Sequence, residues 1–307
     1  PPYNFPNKSN AIWPLFFNKF IHSIPDNGHL ALIIPSIWLK KSHNFHNFIN
    51  QFHISALHTM GSTETNKIFH YKAQTPTTYF HLHKKPSDNF IKIYDDSLKM
   101  YIQYRNNLTI PMKNQHFLMT LKLKIKNDYI QAVKTNLDIG FRNKTTKFSP
   151  FSHDIYKYKN LHTCILVNNN PVHKINYSDK PCAYYGIPKL ILSHKMFGLP
   201  YYDEDGSYGI PTKDNYVILN KSHEEFLKLE AMFNSKCIRH IFNSFRYRMS
   251  NIEKEAFEFI PNLSLLKDID WEFFDSSFLV FMKVGLDQYQ IINRYKLPTK
   301  NFKKIFI

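Results

Sequence analysis

The stretch SNAIWPLFFNKFIHSIPDNGHLALIIP, residues 9–35, decides the fold class of the chain. Between residues 13 and 24, apolar side chains recur at steps of three and four, which predicts an amphipathic helix capped by Ser9 or Asn10. A D-N-G turn follows, and residues 29–34 form a nearly uninterrupted apolar run, as in a strand buried on both faces. Helix, tight turn and buried strand in this order predict an α/β fold.

Short elements of both kinds are predicted along the rest of the chain from apolar periodicity and alternation. In the first third these are a second amphipathic helix from Lys40 that includes Phe52, a strand at 54–57, a polar loop at 61–67, and strands at 75–83 and 90–94. Further on they are a helix at 127–137, a basic loop at 142–147, strands near Cys164 and Lys189, and a tight D-G hairpin turn at 203–206.

A polar, irregular segment at 95–114 is the predicted domain junction. It separates a first domain, residues 1–110, from a second, residues 115–307. In the second domain the pattern S-x-x-E at Ser222 and Glu225 is a capping box, which predicts the start of a long helix through Phe245.

The composition favours a polyanionic partner and excludes several common enzyme classes. The chain has 40 Lys and Arg against 24 Asp and Glu, a formal net charge of +16, which makes nucleic acid the first candidate. Only 8 of the 307 residues are glycine. The sequence contains no GxGxxG, GxxxxGK[ST] or GxSxG string, so it carries no self-contained dinucleotide site, P-loop or hydrolase nucleophile elbow.

Cysteine usage and hydropathy predict a cytoplasmic protein with no membrane partner. The three cysteines have no short spacing between them, which argues against a disulfide framework or a CxxC metal knuckle. No apolar run is long enough to span a bilayer. Because the sequence starts Pro-Pro-Tyr without Met or a signal-peptide pattern, we expect it to be the C-terminal portion of a longer polypeptide.

The first three residues carry the sharpest functional signal. Pro1 and Pro2 fix two φ angles and remove two amide donors, while their carbonyls stay available as acceptors, and the aromatic Tyr3 follows at a rigid position. With the capped helix and buried strand behind it, this arrangement resembles the (N/D)PPY motif of S-adenosylmethionine-dependent methyltransferases.

Three further strings resemble the Taq-type (gamma-class) adenine-specific DNA methyltransferases of restriction-modification systems. They are GHLALIIPSIWL at 28–39, like the strand after the motif helix; QTPTTYFHLHKKP at 74–86, like the family's late antiparallel strand, which begins with Thr and ends in lysines; and PKLILSHKMFGLPYYDEDGSYGIPTKDNYVIL at 188–219 with LEAMFNSK at 229–236, like the target-recognition domain. The resemblance implies the C-terminal half of a Rossmann-like methyltransferase domain with a mixed sheet, followed by an α+β target-recognition domain.

The resemblance also implies roles for individual residues. Tyr3 would stack on an adenine flipped out of duplex DNA, and the Pro1 carbonyl would accept a hydrogen bond from its exocyclic amine, with Pro2 holding the backbone. A second stacking aromatic is expected just ahead of the late strand, at Phe69, or at His70 if the register slips by one. The methyl donor would be S-adenosylmethionine, whose main binding motif is expected upstream of residue 1, so this chain alone should be inactive.

Basic residues interleaved with aromatics in the second domain suit contacts to DNA phosphates. The predicted set is Arg142, Lys144, Lys147, Arg246 and Arg248. Although His43/His46 and His81/His83 are close pairs, no HExxH string or Cys partner accompanies them, and the prediction is that no metal is needed.

Two alternatives to a DNA adenine methyltransferase remain open at this point. One is a methyltransferase for RNA or for protein glutamine, since such enzymes share the NPPY motif. The other is a catalytically inactive DNA-binding specificity module that serves a separate subunit.

Overall fold

The computed structural model describes residues 11–73, 75–168, 170–195, 198–234, 236–248 and 251–262. The chain divides into two compact units. Of the described residues, unit 1 contains 11–124 and 243–248, and unit 2 contains 125–242 and 251–262. The division falls after residue 124, while the domain ranges 1–110 and 115–307 extend into residues outside the description and stay a prediction.

Unit 1 is built on a five-stranded sheet with short helices between its strands. The strands are β1 (His29–Pro35), β2 (Phe52–Met60), β3 (Thr77–Pro86), β4 (Phe90–Asp95) and β5 (Met100–Arg105). The helices are α1 (Trp13–Ser23), a 3₁₀ turn (Ser36–Leu39), α2 (Asn44–Asn50), α3 (Ser62–Ile68) and α4 (Gln115–Ile125).

The order of strands in this sheet is β1-β3-β2-β4-β5. Strand β3 lies between β1 and β2 and runs antiparallel to both, β2 and β4 are parallel, and β4 and β5 form an antiparallel pair. The sheet is therefore mixed, as the family resemblance implied. Thr77 pairs with Pro35 on one side and with Met60 on the other, so the ends of β1 and β2 meet the start of β3 at one edge.

The two faces of the sheet differ in composition. Phe80 and Leu82 of β3 are buried with Phe17 of α1, whose ring packs edge-on against Phe48. Burying side chains of this size stabilises the fold by roughly 1.5–3 kcal/mol each. The alternate residues of β3, at 79, 81 and 83, are Tyr, His and His and are only partly buried or exposed.

The predicted cap of α1 and the predicted end of α2 were wrong. Helix α1 begins at Trp13 as predicted, but the residue before it is Ile12, which cannot cap it, and Pro14 removes one of the amide donors that a cap would satisfy. The predicted cap residues Ser9 and Asn10 lie outside the described residues. Helix α2 ends at Asn50, so that Phe52 begins β2.

The remaining differences in unit 1 concern segments predicted to be loops. The predicted polar loop at 61–67 forms α3, held by the buried Thr65, whose side chain hydrogen-bonds Thr77. The predicted junction at 95–114 contains the strand β5, and pairing with β4 holds this strand in place. In both cases a partner distant in sequence supplies the stabilisation, and local polarity alone gave no sign of it.

Unit 2 contains two four-stranded sheets. Their strands are β6 (Val133–Lys134), β7 (Phe148–Ser149), β8 (Tyr158–Val167), β9 (Asn170–Ser178), β10 (Lys189–Ser193), β11 (Gly198–Asp203), β12 (Tyr208–Gly209) and β13 (Asn215–Ile218). The orders are β11-β10-β13-β6 and β12-β8-β9-β7. A core of Leu161, Ile191, Tyr208, Ile210 and Val217 joins strands of both sheets.

The helices of unit 2 are α5 (Ile139–Arg142), α6 (His223–Asn234), α7 (Lys236–Ser244), which runs into unit 1 at its end, and a 3₁₀ helix (Lys254–Phe259). The predicted capping box is confirmed: the Ser222 amide donates to Glu225 Oε2 over 2.9 Å, and the Glu225 amide donates to Ser222 Oγ over 3.2 Å. The long helix predicted behind it, through Phe245, corresponds to α6 and α7, and residue 235 between them lies outside the described residues.

Two other predictions in unit 2 were wrong. Residues 127–137 contain β6, which pairs with β13, and the helix of this region is α4, before the predicted span. The turn at 203–206 does not close a hairpin, because β12, the strand after the turn, pairs in parallel with β8 and not with β11. Buried Asp203 directs the chain there by accepting the amides of Ser207 and Tyr208.

Candidate functional site: a strand edge in unit 1 and a basic loop in unit 2

The edge where β1 and β2 end is the first candidate site. In open α/β sheets, ligands bind outside the carboxyl ends of strands. Ser36, immediately after β1, is fully buried there, and its amide and hydroxyl both donate to the Pro76 carbonyl, over 2.9 and 3.0 Å. These two hydrogen bonds tie the end of β1 to the residue before β3.

Three buried threonines make this edge rigid. The Oγ1 atoms of Thr65 and Thr77 lie 3.0 Å apart, which ties α3 to β3. The indole Nε1 of Trp38 donates to Thr78 Oγ1 over 2.9 Å. Since the hydroxyls and the indole hydrogen-bond one another, these side chains hold the backbone at this edge in a fixed position, as a binding site requires.

Phe69, the predicted stacking residue, lies at the C-terminal end of α3 at this edge and is half-buried. The next two residues, His70 and Tyr71, have left-handed φ angles of 51° and 62°. Such conformations cost about 1–3 kcal/mol each for residues with a side chain and concentrate at functional sites. Tyr71 is 74 % exposed, and sequence reasoning missed it; the signal was an aromatic close behind Phe69 in a polar segment.

A buried acceptor lies in α3, just before this segment. The Asn66 carbonyl accepts the Tyr71 amide over 2.6 Å, which bends the chain back on itself. The side-chain Oδ1 of Asn66 is buried and has no hydrogen-bond partner among the described residues. Buried acceptors are nearly always paired in folded proteins, so this atom is suited to accept a donor from a ligand.

Pro1, Pro2 and Tyr3 lie outside the described residues. The described residues also provide no cradle that fits S-adenosylmethionine. Gly28 and Gly206 are needed inside turns, where an added Cβ would lie 2.7 Å from the Pro25 carbonyl oxygen and 2.4 Å from the Ile187 amide nitrogen. Gly61 lies between β2 and α3, but a single glycine does not make a phosphate- or ribose-binding loop.

The basic loop of unit 2 is the second candidate site. Arg142 ends α5, and Lys144 and Lys147 follow; all three side chains are exposed. Asp138 caps α5 by accepting the amides of Gly140 and Phe141 at 2.9 and 3.2 Å. The second carboxylate oxygen of Asp138 accepts the Ala183 amide at 3.0 Å, which anchors the loop to a distant part of the unit.

Aromatic packing and one further carboxylate hold the base of this loop. Phe141 and Phe148 meet edge to face at 5.3 Å, and both contact the His162 ring. Burial lowers the pKa of His162, which keeps this packed ring neutral near pH 7. The Lys147 amide donates to Asp179 over 2.9 Å. The backbone is thus fixed while three cationic side chains project into solvent.

The two other predicted DNA-binding residues belong to unit 1, in the segment 243–248. Arg248 is exposed, whereas Arg246 is half-buried, and burial lowers the pKa of Arg246. The structure thus divides the five predicted residues between the units, with Arg142, Lys144 and Lys147 in one loop. Their contact with DNA stays a prediction.

The prediction that no metal is needed rested on the pairs His43/His46 and His81/His83, which have no HExxH string or Cys partner. The structure adds a third imidazole, because strand pairing places His29 directly opposite His83. One nitrogen of each ring could act as a ligand, and these three atoms all lie within 4.8 Å of one another. Burial, followed by the neighbouring imidazoles and Lys85, lowers the pKa of His83. Sequence alone could not align His29 with this pair.

Within the part of the chain that the structure describes, no helix is both long and apolar enough to cross a membrane.

Comparison with known proteins gives matches among solved structures alone: no family model matches the chain, and no curated protein matches it. Among solved structures, the chain is similar to a component of a type I R-M system at 19 % identity and a TM-score of 0.23, covering 39 % of this chain and 25 % of that one. It is also similar to the type IIG restriction endonuclease BpuSI at 10 % identity and a TM-score of 0.31, covering 97 % of this chain and 50 % of that one. The chain thus spans half or less of the length of either structure.

Proposed function

We propose that this chain is part of a site-specific DNA adenine methyltransferase of a restriction-modification system. Residues 1–110 would form the C-terminal part of the catalytic domain, and residues 115–307 the target-recognition domain. The observation that carries the proposal is the position of β3, between β1 and β2 and antiparallel to both.

The strand order supports the proposal because it agrees with a resemblance found independently in the sequence. The string QTPTTYFHLHKKP was compared with a late antiparallel strand, and the strand it forms starts at Thr77, ends after Lys84 and Lys85, and runs against β1. The string GHLALIIPSIWL forms β1 and the 3₁₀ turn behind it. In this arrangement the residues that follow β1 and those that precede β3 share one edge, where a base-binding site is expected.

In the proposed reaction, this chain binds and orients the adenine. Tyr3 and Phe69 would offer aromatic faces to the flipped base, and stacking of this kind is worth about 1–3 kcal/mol per base. The Pro1 carbonyl would accept a hydrogen bond from the exocyclic amine, which draws its lone pair out of conjugation with the ring. S-adenosylmethionine would supply the methyl group, and the described residues do not provide its main binding site.

The target-recognition role rests on charge and on the ordered basic loop. The net charge of +16 favours a polyanion. Arg142, Lys144 and Lys147 are exposed on a backbone that Asp138 and Asp179 hold in place. Such side chains suit phosphate contacts that position a protein on duplex DNA, whereas base-edge contacts specify the sequence.

The test is methyl transfer from labelled S-adenosylmethionine to duplex DNA by the longest natural polypeptide that contains this sequence. We expect label on the exocyclic amine of adenine, identified by nucleoside analysis. Replacing Tyr3→Ala should lower kcat/KM at least about tenfold, since it removes a stacking face. The matched control Tyr3→Phe keeps that face and should retain most of the activity.

The alternatives give distinct results in the same assay. Label on RNA or on protein glutamine in place of DNA would replace the proposal with the related methyltransferase. DNA binding without methylation of any of the three substrates would replace it with an inactive specificity module. Equal activity of Tyr3→Ala and the unmodified protein would contradict the role assigned to Tyr3.

A further inference from the structure

Three histidines meet on the partly exposed face of the unit 1 sheet. His29 is the first residue of β1, and it lies opposite His83 of β3, with His81 two residues before His83 on the same face. The ring centroids of His29 and His83 are 4.1 Å apart, and those of His81 and His83 are 4.8 Å apart. His29 is exposed and the other two are partly buried, so an ion can reach the cluster from solvent.

The distance between two of the ring nitrogens suits a shared metal ion. His29 Nδ1 lies 3.2 Å from His81 Nε2. Two imidazole ligands on one tetrahedral Zn²⁺, each about 2.0–2.1 Å from the metal, have nitrogens roughly 3.3 Å apart. The ligand atoms of all three rings lie within 4.8 Å of one another, a span that small side-chain rotations can close.

Ser55 of β2 orients His81 toward this shared position. The Ser55 hydroxyl donates to the His81 carbonyl over 3.3 Å, and its oxygen lies 2.6 Å from His81 Nδ1. If the hydroxyl proton points to the carbonyl, Nδ1 carries the imidazole proton and donates to Ser55. The lone pair of His81 then lies on Nε2, the nitrogen that faces His29. A hydrogen-bonded second nitrogen is the usual arrangement of a metal-binding histidine.

We propose that His29, His81 and His83 form a binding site for a divalent transition metal of the Zn²⁺ type. Three imidazoles leave the fourth tetrahedral position to water. The metal would fasten the start of β1 to the end of β3. It would lie roughly 20 Å along the strand from the Pro35 edge, at about 3.3 Å per residue over β1. The site is therefore separate from the proposed base-binding edge, and it does not depend on the methyltransferase proposal.

The competing explanation for the short contact between His29 and His81 is an ordinary hydrogen bond between two neutral imidazoles. Metal titration of the complete 307-residue chain, freed of metal by chelation and dialysis, distinguishes the two. Zn²⁺ affinity is measured by competition with a chromophoric chelator, and Co²⁺ serves as the spectroscopic probe. We expect one Zn²⁺ per chain, a Co²⁺ absorption band of tetrahedral intensity, and a higher melting temperature with Zn²⁺ bound.

The variants assign the site to particular residues. His29→Ala, which alters an exposed side chain, should weaken Zn²⁺ binding at least about tenfold and abolish the tetrahedral Co²⁺ band, while its circular dichroism spectrum stays that of the unmodified chain. Ser55→Ala should weaken binding by about 10-fold to 100-fold through the loss of the His81 orientation. The control His153→Ala removes an exposed histidine of unit 2 and should change neither value.

Two outcomes would overturn the proposal. One is a chain that binds no Zn²⁺ and gives no Co²⁺ band, which leaves the hydrogen bond as the whole explanation. The other is binding that His29→Ala and His153→Ala weaken equally, which means diffuse binding to many histidines. If His29→Ala does not fold, the Co²⁺ band of the unmodified chain and the weaker Zn²⁺ binding of Ser55→Ala still decide the matter.

Discussion

The Nζ atom of Lys189 lies 2.5 Å from Oδ2 of Asp203, and both side chains are completely or almost completely buried in unit 2. Lys189 also donates to the carbonyls of Tyr184 and Ile187, over 2.9 and 3.0 Å. Burial lowers the pKa of Lys189, and the Asp203 carboxylate opposes that shift. The pair joins β10 to β11 and fixes the turn that sends the chain from one sheet of the unit to the other.

Removing Asp203 should be strongly destabilising. Asp203→Ala leaves the Lys189 ammonium buried without its counter-charge and frees the amides of Ser207 and Tyr208, so we expect a loss of about 3–5 kcal/mol in the free energy of unfolding. Urea denaturation measures this value. The control Asp205→Ala, at an exposed position in the same turn, should stay within about 0.5 kcal/mol of the unmodified chain. Equal effects of the two substitutions would contradict the structural role of the pair.

The capping box of α6 should contribute a pH-dependent stability. Ser222→Ala should cost about 1 kcal/mol, because the Glu225 amide loses its acceptor. The Ser222 amide and Lys221 hold the pKa of Glu225 below its ordinary value of 4.5. A carboxylate with a lowered pKa stabilises the fold above the unfolded-state value, and this contribution disappears as the pH falls through the lowered pKa.

The measurement that checks this linkage is urea denaturation of the unmodified chain and Glu225→Gln from pH 7 down to pH 3. We expect the stability difference between them to be constant above about pH 5 and to shrink below the ordinary carboxyl pKa. A difference that is unchanged down to pH 3 would show that the Glu225 charge does not take part in the cap.

DNA binding should depend steeply on salt concentration. If the five predicted basic residues each contact a phosphate, the logarithm of the binding constant should fall against the logarithm of salt with a slope of about −4 to −5. Replacing Lys144 and Lys147 by Ala should reduce the magnitude of that slope by about 1.8. Fluorescence anisotropy with labelled duplex DNA measures both slopes.

The control for the basic loop is Lys228→Ala, since Lys228 is engaged by Glu224 on α6. This variant should leave the slope unchanged. A slope near −1 for the unmodified chain would contradict extensive phosphate contact. A slope that Lys228→Ala and the Lys144/Lys147 double variant change equally would show a general effect of net charge.

Cys164 and Cys182 of unit 2 should resist alkylation in the folded chain. Burial, with the Asp138 carboxylate adding to it, raises the pKa of Cys182 to about 11, and burial raises that of Cys164 as well. Since the thiolate is the reactive form, iodoacetamide at pH 8 should label both far more slowly in the native chain than in urea, as peptide mass spectrometry can measure. Native labelling at the rate of the unfolded chain would contradict these environments.

Local sequence signals predicted the parts of the fold that neighbouring residues stabilise. The strand β1 was recognisable from the apolar run itself, although only Ile34 and Pro35 of it are buried and not both faces as predicted. The Ser222/Glu225 cap was recognisable because its two residues lie three positions apart. Segments ordered by distant partners were assigned wrongly. Helix α3 was predicted as a loop because its main anchor, the Thr65 contact with Thr77, crosses 12 residues.

The residues of the candidate sites also fall into those that the sequence could indicate and those that only the structure revealed. Phe69 was named through the family resemblance and the basic loop from its basic and aromatic residues. Tyr71 became a candidate only through its left-handed backbone and its exposure. The contact between His29 and His81 spans 52 residues and follows from the register of β1 on β3. Register depends on pairing across the whole sheet, so the separate strands do not reveal it.

The sequence by itself was sufficient to predict the α/β class, the basic character of the chain and the start of α6. Periodicity, charge and capping are patterns that a few neighbouring residues determine. The tertiary structure alone decided that β3 enters between β1 and β2, that three histidines converge on one face, and that Lys189 meets Asp203 in the core. Each of these depends on strands packing against partners far along the chain, and the free energy of such contacts belongs to the assembled sheet.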